Sequence, residues 1–92
     1  EITLGNKSIT VIHTPGHSPG CVCYYSDNNV FVGDTLFAGS VGRTDLPGGS
    51  HETLINSIKE RLFPLGDNTI VHPGHGPSTT IENEKAHNPF LK

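Results

Sequence analysis

Apolar and polar residues alternate over residues 8–13, with Ile9, Val11 and His13 on one face and Ser8, Thr10 and Ile12 on the other. A period of two predicts a strand. Ile2 to Leu4 precedes it across Gly5-Asn6-Lys7, so the two read as a hairpin. The segment 14-TPGHSPG-20 ends the second arm in a Pro/Gly turn. Cys21 to Ser26 is the next strand pattern, Asp27-Asn28-Asn29 is turn chemistry, and Val30-Phe31-Val32 is a short apolar strand running into Gly33-Asp34. Residues 35–49, TLFAGSVGRTDLPGG, read as a Gly-rich loop. After Ser50, a good N-cap, the period changes: Leu54, Ile55, Ile58 and Leu62 recur at helical spacing while Asn56, Lys59 and Glu60 face away. Pro64 and Gly66 end that helix. Thr69 to His72 is a further strand closed by Pro73-Gly74. Thr79 and Glu82 have the spacing of a capping box opening a last helix near 80–87, and Asn88-Pro89 ends it.

Strands first, then helix, strand and helix, predict an α+β layer: one mostly antiparallel sheet with helices on one face. Helices on one side leave the other side of the sheet bare. A partner layer is implied, from residues beyond this chain or from a second copy docked as a dimer through the exposed face.

Composition narrows the classes. At 92 residues the chain is one small domain at most, with modest burial. Net charge is −3 and no basic face is apparent, which argues against a nucleic-acid partner. No apolar run approaches the roughly 18 residues of a membrane helix. Cys21 and Cys23 would lie about 6.5–7 Å apart along a strand, at the limit for a disulfide. Both read as reduced, which suits a cytoplasmic protein, and no second cysteine cluster supports a C-x-C metal pair. The first residue is Glu1 rather than Met, so the chain is expected to be part of a longer protein.

Three segments share one grammar: a short apolar strand, a glycine, then a ligand-type side chain. VIHTPGH places His17 there, VFVGD places Asp34 and IVHPGH places His75. Two imidazoles and a carboxylate are the donor set of a hydrolytic zinc or related divalent site. Against this, a single histidine is usually a surface or hydrogen-bonded residue and Gly-Asp usually a turn. His13 and His17 are four apart, but Pro15 and Gly16 forbid a shared helical face. His13 and His72 sit just before these turns, where a strand-face hydrogen bond competes with support of a ligand. Arg43 either meets a substrate carboxylate or pairs with Asp45. His51 and His87 read as surface or capping residues, and Tyr24 and Tyr25 as core and surface of one strand rather than substrate contacts.

The motifs TPGHSPG, VGDTLF and HPGHGPST, in this order and spacing, resemble the third, fourth and fifth metal motifs of the metallo-β-lactamase superfamily. GSVGRTDLPGG, SIKERLFPLGD and HNPFLK are similar to its glyoxalase II-like (hydroxyacylglutathione hydrolase-like) branch. The resemblance implies that residues 1–92 are the C-terminal half of an αββα sandwich. It also implies that His17 binds a first metal, Asp34 bridges two and His75 binds the second. The family's H-x-H-x-D-H motif is absent from this chain and belongs to the N-terminal half, which would supply the remaining ligands and the second sheet.

For the whole protein the resemblance implies hydrolysis of a thioester such as an S-acylglutathione. Two divalent ions about 3.5–4 Å apart, zinc before iron or manganese and positioned by Asp34, would generate a bridging hydroxide. Two alternatives stand beside this. A single-iron persulfide dioxygenase of the same fold shares GRTD but carries A-H-D-Y where this chain has GHGP. The other is a folded, truncated piece without catalysis.

Overall fold

The computed structural model describes residues 2–4 and 7–91, with side chains from Ile9 onward. Strands β1 (Ile2–Leu4) and β2 (Lys7–His13) pair antiparallel as expected. The first two positions of the turn read at Gly5-Asn6-Lys7, and the terminal Lys92, lie outside the described residues. Strands β3 (Val22–Ser26) and β4 (Asn29–Gly33) form the next hairpin. Its two connecting residues, Asp27 and Asn28, both have positive φ, 48° and 67°. That is the mirror-image turn whose twist matches the flanking strands, and short Asx side chains tolerate it.

Residues 35–49 are not loop throughout. Strands β5 (Leu36–Phe37) and β6 (Ser40–Val41) form a small separate hairpin. Leu36 is fully buried, and Gly39 supplies a φ of 80° at the bend. Helix α1 (His51–Ser57) starts at Ser50, whose hydroxyl accepts from Thr53 N. The helix continues as a π-turn over Ile58–Leu62 and a 3₁₀ turn over Phe63–Leu65. Pro64 has no N–H and its ring crowds the carbonyl four residues back, so the coil widens just ahead of it. The expected stripe holds: Leu54, Ile58 and Leu62 are fully buried. Strand β7 (Ile70–Pro73) follows, then β8 (Thr79–Thr80) and helix α2 (Ile81–His87). The capping box read at Thr79 does not form. Thr80 is the N-cap and accepts from Asn83 N, while Thr79 pairs with Val71 in the sheet.

The main sheet has the order β1-β2-β3-β4-β7-β8, antiparallel except for the parallel pair β4–β7. Cys23, Val30, Val32 and Val71 pack from one sheet face against Leu54, Ile58 and Leu62, with Ile81 and Leu36 completing the core. Each buried aliphatic contributes about 1.5–3 kcal/mol, which fixes α1 to the sheet. The opposite face carries no helix. Val11, Tyr24 and Phe31 form a cross-strand row there, with Ile70 one register away, and all four are exposed. The sheet therefore has one covered and one bare side, as the amphipathic pattern requires. Among the described residues no helix is long and apolar enough to cross a membrane.

Glu84 fastens α2 to the β5–β6 hairpin. It is fully buried; Oε1 accepts from Gly39 N (2.9 Å) and Asn88 Nδ2 (2.8 Å), and Oε2 from Thr79 Oγ1 (2.8 Å) and Asn83 Nδ2 (3.1 Å). Burial alone pushes the carboxyl up, but these four donors outweigh it and hold the group below its ordinary value. A depressed folded pKa gives stabilisation that is complete above the ordinary glutamate value and lost as pH falls through the folded one. Glu84→Ala strands these donors and should cost roughly 3 kcal/mol at neutral pH. Urea titrations across pH check this: the gap between wild type and variant should be full at neutrality and shrink on acidification.

Candidate metal centre

Strands β2 and β4 are both antiparallel to β3, and β7 is parallel to β4. The C-terminal ends of β2, β4 and β7 therefore meet at one end of the sheet. His17, Asp34 and His75 follow those three ends, which is how residues far apart in the chain converge.

The turn after β2 is closed by Thr14 N donating to the Cys21 carbonyl (2.9 Å). It is seated on α1: Ser50 N donates to Gly16 O (2.7 Å) and Ser57 Oγ to Pro15 O (2.7 Å). Gly16 has φ 139°, and a Cβ there would overlap the backbone of Leu54. This turn carries His17, whose Nδ1–H donates to the Arg43 carbonyl (2.8 Å). A carbonyl only accepts, so the Nδ1 proton is fixed and the Nε2 lone pair is left free. Nε2 lies 4.0 Å from Asp34 Oδ2.

Asp34 follows Gly33, which turns the chain at φ 54°. Its other oxygen, Oδ1, is 3.2 Å from His75 Nδ1. The carboxylate therefore presents one oxygen to each imidazole. His75 is 82% exposed, its loop tied to β4 by Gly74 N donating to Gly33 O (2.8 Å). In this arrangement Asp34 accepts a proton contact from His75. A cation shared by the pair requires that contact to open, and the exposed ring has room to turn.

Nitrogen and carboxylate donors around an oriented imidazole match divalent-metal chemistry. Their number does not close a site: among the described residues no group of three or more His, Cys, Asp and Glu is arranged to hold an ion. The three side chains are gathered at one edge without forming a cage.

Arg43 is paired with Asp45 in this structure. Its guanidinium grips Asp45 through Nε (2.8 Å) and Nη2 (3.0 Å), both partners largely exposed. What touches the centre is its backbone carbonyl. Gly42 makes that possible, because a Cβ there would overlap the Asp34 carbonyl. A backbone acceptor leaves no residue-type signal, and only the glycine beside Arg43 hinted at it. His51 is exposed with its ring edge toward Phe90, and His87 is exposed. Tyr24 lies on the bare face and Tyr25 packs toward the core. Both cysteines are free, and burial pushes the Cys23 thiol up.

Comparison with known proteins follows the same lines. A model of the metallo-beta-lactamase superfamily matches residues 2–78. Hydroxyacylglutathione hydrolase GloC of Haemophilus influenzae is 46% identical over 98% of this chain and 43% of its own length. Among solved structures, the BLEG-1 B3 metallo-beta-lactamase superposes with TM-score 0.94 at 53% identity, covering 99% of this chain and 44% of that one. ETHE1 from Myxococcus xanthus gives TM-score 0.91 at 38% identity, covering 96% and 41%. TTHA1623 in a di-iron-bound form gives TM-score 0.87 at 51% identity, covering 98% and 45%. The chain spans about 44% of the length of the curated relatives it matches.

Proposed function

The chain belongs to the metallo-beta-lactamase superfamily, and from that premise we propose that it is the C-terminal half of a metal-dependent thioester hydrolase, with S-acylglutathiones as the substrate class. The observation that carries the reading is the Asp34 carboxylate set between the imidazoles of His17 and His75 at one end of the sheet. Similarity to a hydroxyacylglutathione hydrolase supports the choice of thioester.

His17 would hold one cation through Nε2, His75 the second, and Asp34 both. Zinc is proposed, with iron or manganese as alternatives. When bound, such ions lower the pKa of water and polarise the carbonyl under attack. The chain's own contributions are positional. The Arg43 carbonyl fixes the tautomer and direction of His17, Gly16 lets its turn sit against α1, and Asp34 presents one carboxylate oxygen toward each imidazole. An N-terminal half is proposed to cover Val11, Tyr24, Phe31 and Ile70 and to bring the remaining ligands.

Full-length protein loaded with zinc is expected to hydrolyse S-lactoylglutathione, while residues 1–92 with zinc should show no turnover above free metal. Turnover by the 92 residues alone would contradict the half-site reading. Oxygen consumption with glutathione persulfide, without thioester cleavage, would replace the hydrolase by the single-iron dioxygenase.

A further inference from the structure

Two histidines outside the proposed ligand set make the same kind of contact. His13 is the last residue of β2, and its Nε2 donates to the Pro19 carbonyl (2.8 Å), six residues on. His72 lies in β7, and its Nδ1 meets Ser78 Oγ (3.2 Å), also six residues on. Each ring spans the loop that its own strand opens. His17 lies inside the first span and His75 inside the second.

The donor pattern is determined at both places. Pro19 offers only a carbonyl, so His13 Nε2 carries its proton. Asn29 Nδ2 donates to the Asp27 carbonyl (2.9 Å), which orients the amide and leaves Oδ1 to accept from His72 Nε2 (2.8 Å). His72 Nδ1 is then the acceptor and Ser78 the donor. The His72 ring also stacks on Phe31 at 4.8 Å and 17°. Three contacts thus hold the second ring, and through it the far end of a loop that is otherwise exposed over residues 74–78.

We propose that His13 and His72 are positioning residues, latches that close the loops carrying His17 and His75 and so fix where those imidazoles stand. The metal consequence rests on the hydrolase reading above; the latch itself does not. Each latch adds a side-chain tie to the backbone contacts of its loop, and so narrows the orientations of the imidazole before a ligand arrives.

Hydrogen exchange on metal-free, full-length protein tests the latches, with zinc affinity as a second readout. His13→Phe keeps a ring without the donor, whereas His13→Gln replaces an N–H near the same place. Ser78→Ala removes the hydroxyl donor and Ser78→Thr keeps it. His13→Phe should speed exchange over residues 14–21 about tenfold, and Ser78→Ala likewise over 74–79, in keeping with one lost hydrogen bond. Zinc affinity should fall roughly 10–100-fold in each. Gln and Thr should restore both readouts, which a general loss of stability would not allow. Unchanged exchange in His13→Phe and Ser78→Ala, or no rescue by Gln and Thr, would overturn the proposal. If the exchange pattern holds while wild type binds no zinc, the metal reading fails and the latches stand.

Discussion

On the proposed hydrolase reading, Asp34→Ala in the full-length protein is expected to lower thioester hydrolysis by about 10²–10³-fold or more, since it would delete preorganised charge at the proposed centre. Each carboxylate oxygen faces a different imidazole, at 4.0 Å and 3.2 Å. Among the described residues, no other carboxylate pairs with either imidazole. Without Asp34 the two imidazoles have no shared anion, and the variant should carry fewer divalent ions per chain by elemental analysis. Stability should barely move. Asp34 is 46% exposed and its partner His75 is more exposed still, so their contact is worth about 0–1 kcal/mol. Asp34→Asn keeps the volume and one acceptor oxygen but not the charge, and should fall close to alanine in rate. A variant with wild-type kcat/KM and metal content would remove Asp34 from the site. One that simply unfolds would contradict the surface character of the residue.

What was legible in the chain and what was not divide along physical lines. The convergence of His17, Asp34 and His75 at one end of the sheet was legible because each follows a strand and a glycine, a pattern that survives in one dimension. The bare sheet face was equally legible, since alternation forces Val11 and Ile9 to one side whatever covers the other. Strands β5, β6 and β8 were missed because two residues cannot display a period. Thr79 and Thr80 are chemically alike as caps, and only the pairing of Thr79 with Val71 decides between them. Glu84 was invisible for another reason. On an amphipathic helix a lone glutamate looks solvated, and its four donors come from a hairpin, a strand and α2 itself. The support that His17 receives from Arg43 comes from a backbone carbonyl, which every residue possesses.

Gly16→Ala is expected to be the most damaging small substitution in the 14–20 turn, and Gly20→Ala the least. Gly16 has φ 139°, a conformation that costs a side-chain-bearing residue about 1–3 kcal/mol. Its new methyl would also overlap the N, Cα and Cβ of Leu54. Leu54 cannot yield, because it is fully buried in the core between α1 and the sheet. Overpacking of this kind adds about 1–3 kcal/mol. The sum, about 2–6 kcal/mol, is a large share of the roughly 5–15 kcal/mol that holds a domain folded. Relief would require the turn to lift off α1, breaking Ser50 N to Gly16 O and Ser57 Oγ to Pro15 O, and with them the aim of His17. Gly20 is the internal control: an added Cβ meets nothing within 4 Å, and its φ lies outside the strained range. Its replacement should be neutral or stabilise by about 0.4–1 kcal/mol through the unfolded chain. Urea midpoints at unchanged m-value read the difference in the full-length protein, and zinc affinity reads the displacement of His17. If the two variants prove equally stable, α1 is not what shapes this turn, and the close seating of Gly16 on Leu54 is not what aims the imidazole.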